Sequence, residues 1–116
     1  MQTYRDLVVW QRSVELSVEV YRVTATFPEV EKYGLVSQMR RAAVSIPSNI
    51  AEGKLRGSEK ELHHFIRIAF GSGGELETQI EIAKRLTLLT DANSTTLDAL
   101  LEEIMKMLNT MLKLKA

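Results

Sequence analysis

Apolar residues recur every three or four positions in four separate segments of this chain, and no segment alternates apolar with polar residues as a half-buried strand would. That regularity restricts the fold to helices packed on helices. The segments predict helices over residues 6–26, 33–52, 58–90 and 96–114. Joined by short connections, they specify an all-α fold, an up-and-down four-helix bundle with a Pro-kinked second helix. A length of 116 residues suffices for one domain, 1–116, and is too short for two ordinary ones.

The first segment carries more apolar surface than one bundle seam uses. On a helical wheel of about 100° per residue, Leu7, Trp10, Val14, Val18, Tyr21 and Ala25 form one stripe. A second stripe, Val9, Leu16, Val20, Val23 and Phe27, lies nearly opposite. Such a helix fits its own bundle with one stripe and another subunit with the other. We assign Val9, Leu16, Val20, Val23 and Phe27 as the candidate subunit interface. The fourth segment is also broadly apolar, from Leu97 to Leu114, with Met107 and Met111 on that face.

The second stripe of helical spacing, Leu35, Met39, Ala42, Ala43, Ile46 and Ile50, continues straight through Pro47. A proline inside a helix removes one backbone bond and crowds the carbonyl four residues back, here Ala43, at a cost of about 3 kcal/mol unless packing compensates. Pro47 and Asn49 therefore mark a structural kink, with Ser48 and Asn49 placed to serve disturbed backbone groups. The polar row Arg41, Ser45, Ser48 and Glu52 could form a network between subunits. Gly53 is positioned to close the helix in a left-handed cap. Ser58 with Glu61 reads as a capping box, and Thr95 with Asp98 as a further cap. In the third helix the stripe Leu62, Phe65, Ala69, Leu76, Ile80 and Ala83 keeps phase across "GSGG", Gly71 to Gly74. Three glycines at about 1 kcal/mol each argue for close packing there, with a local bend.

The chain has no Cys, which excludes disulfides and Cys-based zinc sites and fits a cytoplasmic setting. Its N-terminal apolar run is too short for a signal peptide core or a membrane span. The only histidines are His63 and His64. Glu61 and His64 have the Glu-x-x-His spacing of di-iron bundles, but such a site needs two of these motifs and two more carboxylates, so a capped, solvated first turn is the better reading. No nucleophile with a base and no phosphate-cradling glycine motif is present. The expectation is a non-enzymatic protein with no cofactor, no catalytic or metal site, no small-molecule substrate and no membrane contact.

Fifteen basic and fifteen acidic residues cancel, so affinity for a polyanion would require segregated charge. Between Arg40 and Lys60 five cations face two acids, and no acid follows Glu103 while three lysines do. Arg40, Arg41, Lys54 and Arg56 are the candidate nucleic-acid-binding residues. The competing reading is an ordinary charged face paired with Glu52, Glu59 and Glu61.

The stretches "YRDLVVWQRSVELSVEVYRVTATFP", "EKYGLVSQMRRAAVSIPSNIAEG" and "SEKELHHFIRIAFGSGGELETQIEIAKRL" resemble, in order and spacing, the bacterial four-helix-bundle family of 23S rRNA intervening-sequence proteins. The accessory protein of diversity-generating retroelements is similar to these. The resemblance covers about Tyr4 to Leu89, and "QMRRAAVSIPSNIAEG" is its most specific piece; the fourth helix matches in character only. Gly73 and Gly74 depart from it, standing where a larger apolar residue is expected. The resemblance implies a homopentamer, a ring of bundles. It also implies association with nucleic acid or a reverse transcriptase, as for the strongly basic retroelement relative, although this chain is neutral. Together these expectations describe a homo-oligomeric accessory protein that presents a repeated surface to RNA, DNA or a nucleic-acid enzyme. The alternatives are a protein-only scaffold or adaptor and, less favoured, a small metal-binding bundle.

Overall fold

The computed structural model describes residues 2–114, which form four α-helices and, among the described residues, no strand. They are α1 (Val8–Thr24), α2 (Ser37–Leu55), α3 (Glu59–Arg85) and α4 (Thr95–Lys113), preceded by a 3₁₀ turn over Tyr4–Asp6. Helices consecutive in sequence pack on each other, and α4 closes the ring on α1, giving an up-and-down bundle of 43 × 22 × 22 Å. Its core includes Leu16, Met39, Ile46, Ile50, Ile66, Leu76, Leu97, Ile104 and Leu108, all at most 1% exposed.

Val9, Leu16, Val20, Val23 and Phe27, expected at a subunit contact, are instead 0–9% exposed within the chain's own core. The stripe left outside is the other one, with Val18 64% and Tyr21 47% exposed. The wheel shows that two apolar stripes exist; which of them turns inward depends on where α2 and α4 dock. The small residues between the stripes decide it. Buried Ser13 and Thr24 donate their hydroxyls to the carbonyls one turn back, Val9 and Val20, at 2.6 Å each. That removes their polar groups from competition and lets α2 approach closely.

α2 runs through Pro47, which is buried, and continues to Leu55. The carbonyl that the proline leaves without an intrahelical donor is that of Ala43, and Ser17 Oγ of α1 reaches it at 3.1 Å, its one hydrogen shared with the Ser13 carbonyl at 3.0 Å. Asn49 Nδ2 donates to the Ser45 carbonyl at 2.8 Å and to Ser45 Oγ at 3.0 Å. Ser45 Oγ in turn shares a 2.8 Å hydrogen bond with Ser72 Oγ of α3. Arg41 pairs with Glu75 of α3 at 2.8 Å, so the first half of the polar row expected between subunits, Arg41 and Ser45, joins two helices of one chain, while Glu52 pairs with Arg56 within α2 and Ser48 is exposed.

Gly53 is not the cap. It lies buried inside α2, and a Cβ there would stand 2.8 Å from the Phe65 Cβ and 3.3 Å from the Leu62 Cα. The left-handed residue is Gly57, at φ +85°. The start of α2 also shifts: Lys32–Val36 form a π-turn with Gly34 off helical geometry, so the regular helix begins at Ser37. α3 stops at Arg85 rather than near residue 90, and Thr87 takes φ +60° in the turn that follows. Ser58 caps α3 by accepting the Glu61 amide at 3.1 Å. α4 starts after Ser94, whose hydroxyl donates to Asp98, and not on a Thr95 cap. Across "GSGG" α3 is unbroken. Lys84 closes the α3–α4 turn on Asp98 (2.9 Å) and Asp91 (3.5 Å).

Gly53→Ala should destabilise the protein by about 1–3 kcal/mol through overpacking, against the helix-propensity gain of up to about 1 kcal/mol; urea denaturation at neutral pH measures this. Ser17→Ala should cost about 1–3 kcal/mol by orphaning the Ala43 carbonyl. The hydrogen bond to Asp98 raises the Lys84 ammonium above the ordinary lysine value. The stability it contributes is therefore complete below the unfolded value near 10.4 and is lost as pH rises through the higher folded value. Thermal melts of Lys84→Met across that alkaline range should fall less steeply than those of the parent protein.

Candidate nucleic-acid interface

Antiparallel packing brings the C-termini of α2 and α4, the N-terminus of α3 and the Tyr4–Asp6 turn to one end of the bundle. His63 of α3 accordingly bonds the Leu112 carbonyl of α4 at 3.0 Å. This end carries Arg5, Lys54, Arg56, Lys60 and Lys113, with Arg67 about 12 Å further along α3, against Asp6, Glu52, Glu59 and Glu61. Asp6 accepts the Thr3 amide, and Glu52 is held by Arg56 at 2.8 Å. Glu59 and Glu61 lie in the first turn of α3, where the partial positive charge of the helix N-terminus favours acids. Arg5, Lys54, Lys60, Arg67 and Lys113 have no ion-pair partner among the described residues. The opposite end holds Glu29, Glu31, Glu81, Asp91 and Asp98 together with Arg22, Lys32, Lys84 and Arg85, and there Lys32 pairs with Glu29, Lys84 with Asp91 and Asp98, and Arg85 with Glu81.

The four residues selected from the sequence do not come together. Arg40 and Arg41 precede Lys54 and Arg56 by about 20 Å along α2, at 1.5 Å per residue. Being consecutive, Arg40 and Arg41 also point to different neighbours. The Arg40 guanidinium lies 4.4 Å from the Tyr21 ring centroid and donates to Thr24 Oγ1 at 3.0 Å, tying α2 to α1. Arg41 belongs to Glu75. Arg56 pairs with Glu52, which holds its guanidinium above the ordinary arginine value, and lies 5.1 Å from the Phe65 ring centroid. Lys54 alone of the four is an unpaired, exposed cation at the basic end. Arg5, Arg67 and Lys113 join it only through the topology, since nothing in their sequence spacing links them.

A second surface is apolar. Val18 and Tyr21 of α1 and Val44 of α2 are exposed, Val44 at 40%. Around the seam, Leu7, Val8, Met107 and Met111 line a shallow apolar groove of about 370 Å³ between α1 and α4. Glu61 and His64 do not form a metal site: His64 packs edge-on against Phe65, and among the described residues no three His, Asp or Glu side chains converge on a cation position. Among the described residues, no helix is long and apolar enough to cross a membrane.

The bundle topology and the proline-bearing second helix define a class of small helical-bundle proteins. Over residues 5–110 the chain matches the 23S rRNA-intervening sequence protein family, and it belongs to that family. A protein of unknown function from the S23 ribosomal protein family of Bacteroides thetaiotaomicron VPI-5482 has the same fold. Its TM-score is 0.81 at 24% identity, with 92% of this chain and all of that one covered. No curated protein matches the chain in sequence.

Proposed function

We propose that this protein is a non-enzymatic, homo-oligomeric RNA-binding accessory factor that grips RNA phosphates with the basic end of its bundle. The observation that carries this reading is the gathering of Arg5, Lys54, Lys60, Arg67 and Lys113, unpaired, at one end of an otherwise neutral molecule. Membership of a family described by the 23S rRNA intervening sequence supports RNA as the polyanion. One copy offers only a handful of phosphate contacts, so affinity depends on repetition, and an oligomer multiplies a weak site into a useful one. The exposed Val18, Tyr21 and Val44 supply an apolar face for that assembly, in place of the buried Val20 stripe.

Titration of a labelled structured RNA at about 50 mM salt should give binding that weakens with salt, with a log–log slope of roughly 2 to 4 per engaged subunit. Replacing Lys54, Lys60 and Arg67 together by Gln should weaken binding at least tenfold. Replacing Arg40 and Arg41 by Gln should leave it nearly unchanged. No RNA binding at low salt would favour a protein-only adaptor, and equal losses from both sets would overturn the assignment of the site to the basic end. Light scattering should show an oligomer that Val18→Glu with Val44→Glu converts to monomer; a parent monomer contradicts the assembly step.

A further inference from the structure

The third helix carries a feature the proposed RNA surface does not use, the "GSGG" segment at which this chain departs from the pattern it resembles. α3 and α4 are separated along much of their length by an open groove of about 570 Å³. On its floor the half-buried Phe70 of α3 and Met105 of α4 lie over the buried Ile80 and Leu101. Gly73 deepens it, because the Met105 sulfur occupies the space where a Cβ on Gly73 would be, so the methionine sinks into α3. Gly74 falls in one helical row with the groove residues Phe70, Glu77 and Glu81 of α3, and a Cβ there would meet open space.

The walls are predominantly acidic. Glu77 and Glu81 flank the groove on α3, and Asp98 and Glu102 on α4, against two lysines, Lys84 and Lys106. Both lysines are already held, Lys84 by Asp98 at 2.9 Å and Lys106 by Glu102 at 3.1 Å. Glu81 bonds Arg85 through one oxygen, and Glu77 has no ion-pair partner among the described residues. The groove therefore offers spare carboxylate oxygens on either side of an apolar floor, and it repels the polyanion proposed for the basic end.

From Phe70 to Lys84 it spans about 20 Å, the length of roughly 14 helical residues. We propose that the α3–α4 groove docks a cationic amphipathic helix of a partner protein, with apolar side chains on the floor and Lys or Arg along both flanks. A helix laid into the seam of two others is a recurrent recognition mode, read as anchors at i, i+3, i+4 and i+7. The surplus of carboxylates selects the sign of the flanks. This assignment is independent of the RNA reading, since it uses the other charge and another face.

The test is fluorescence anisotropy with a labelled helical peptide of about 14 residues, leucines on one face and lysines on the flanks, against the full-length protein. Saturable one-to-one binding is expected, weakened at least tenfold by Gly74→Leu and by Glu77→Lys with Glu81→Lys. A matched peptide with glutamates for lysines should not bind. Gly74→Leu removes a helical glycine into open space, so its melting temperature should equal or exceed the parent's, and lost binding then reports a filled groove. Absence of saturable binding, undiminished binding to Gly74→Leu, or equal binding of the glutamate peptide would overturn the proposal. So would a fall in solution mass with Gly74→Leu, which would show that a second copy covers the groove.

Discussion

The bundle depends on keeping α2 helical through a proline. Pro47 deprives the Ala43 carbonyl of its donor, and a carbonyl left bare in a protein interior costs about as much as the helix gains from several favourable residues. Ser17 restores the bond from α1 at 3.1 Å, and that places the two helices within hydroxyl reach of each other. On the opposite side Gly53 lets α3 come within contact of the α2 backbone, and Ser45, Ser72 and Asn49 satisfy one another where larger side chains would hold the helices apart. α2 is thus fixed from both sides by small polar residues. The apolar core then fills the space that this spacing leaves, and core packing tolerates little error in it.

The same antiparallel order sorts the charges. Helix ends that are far apart in sequence meet at one end of the bundle, and there cations outnumber acids. Along the α3–α4 seam the surplus has the opposite sign. Net charge is silent about both, because long-range attraction for a polyanion depends on local excess rather than on the sum.

Helix number, helix order and the inward stripes of α2, α3 and α4 were legible because periodicity reports burial directly, as at Met39, Ile46, Leu76 and Leu101. Ends were less legible. Gly53 has the position of a cap in the sequence and the role of a contact in the structure, since glycine serves a left-handed turn and a close approach equally well. Thr95 has the spacing of a cap to Asp98, and the residue before it, Ser94, takes that place and donates to Asp98. Arg40 and Arg41 drew notice as a basic pair, yet adjacent residues on a helix point about 100° apart and find separate partners.

The amino-acid order by itself determined that the chain is four helices, that the first has two apolar sides, and that Pro47 needs a rescuing donor. Only the tertiary structure decided which side of the first helix is core, which hydroxyl rescues Ala43, and which cations stand together. The reason is physical. Periodicity is a property of one helix and is set locally, whereas the sharing of a surface by Arg5, Lys54, Arg67 and Lys113 is a property of how four helices dock.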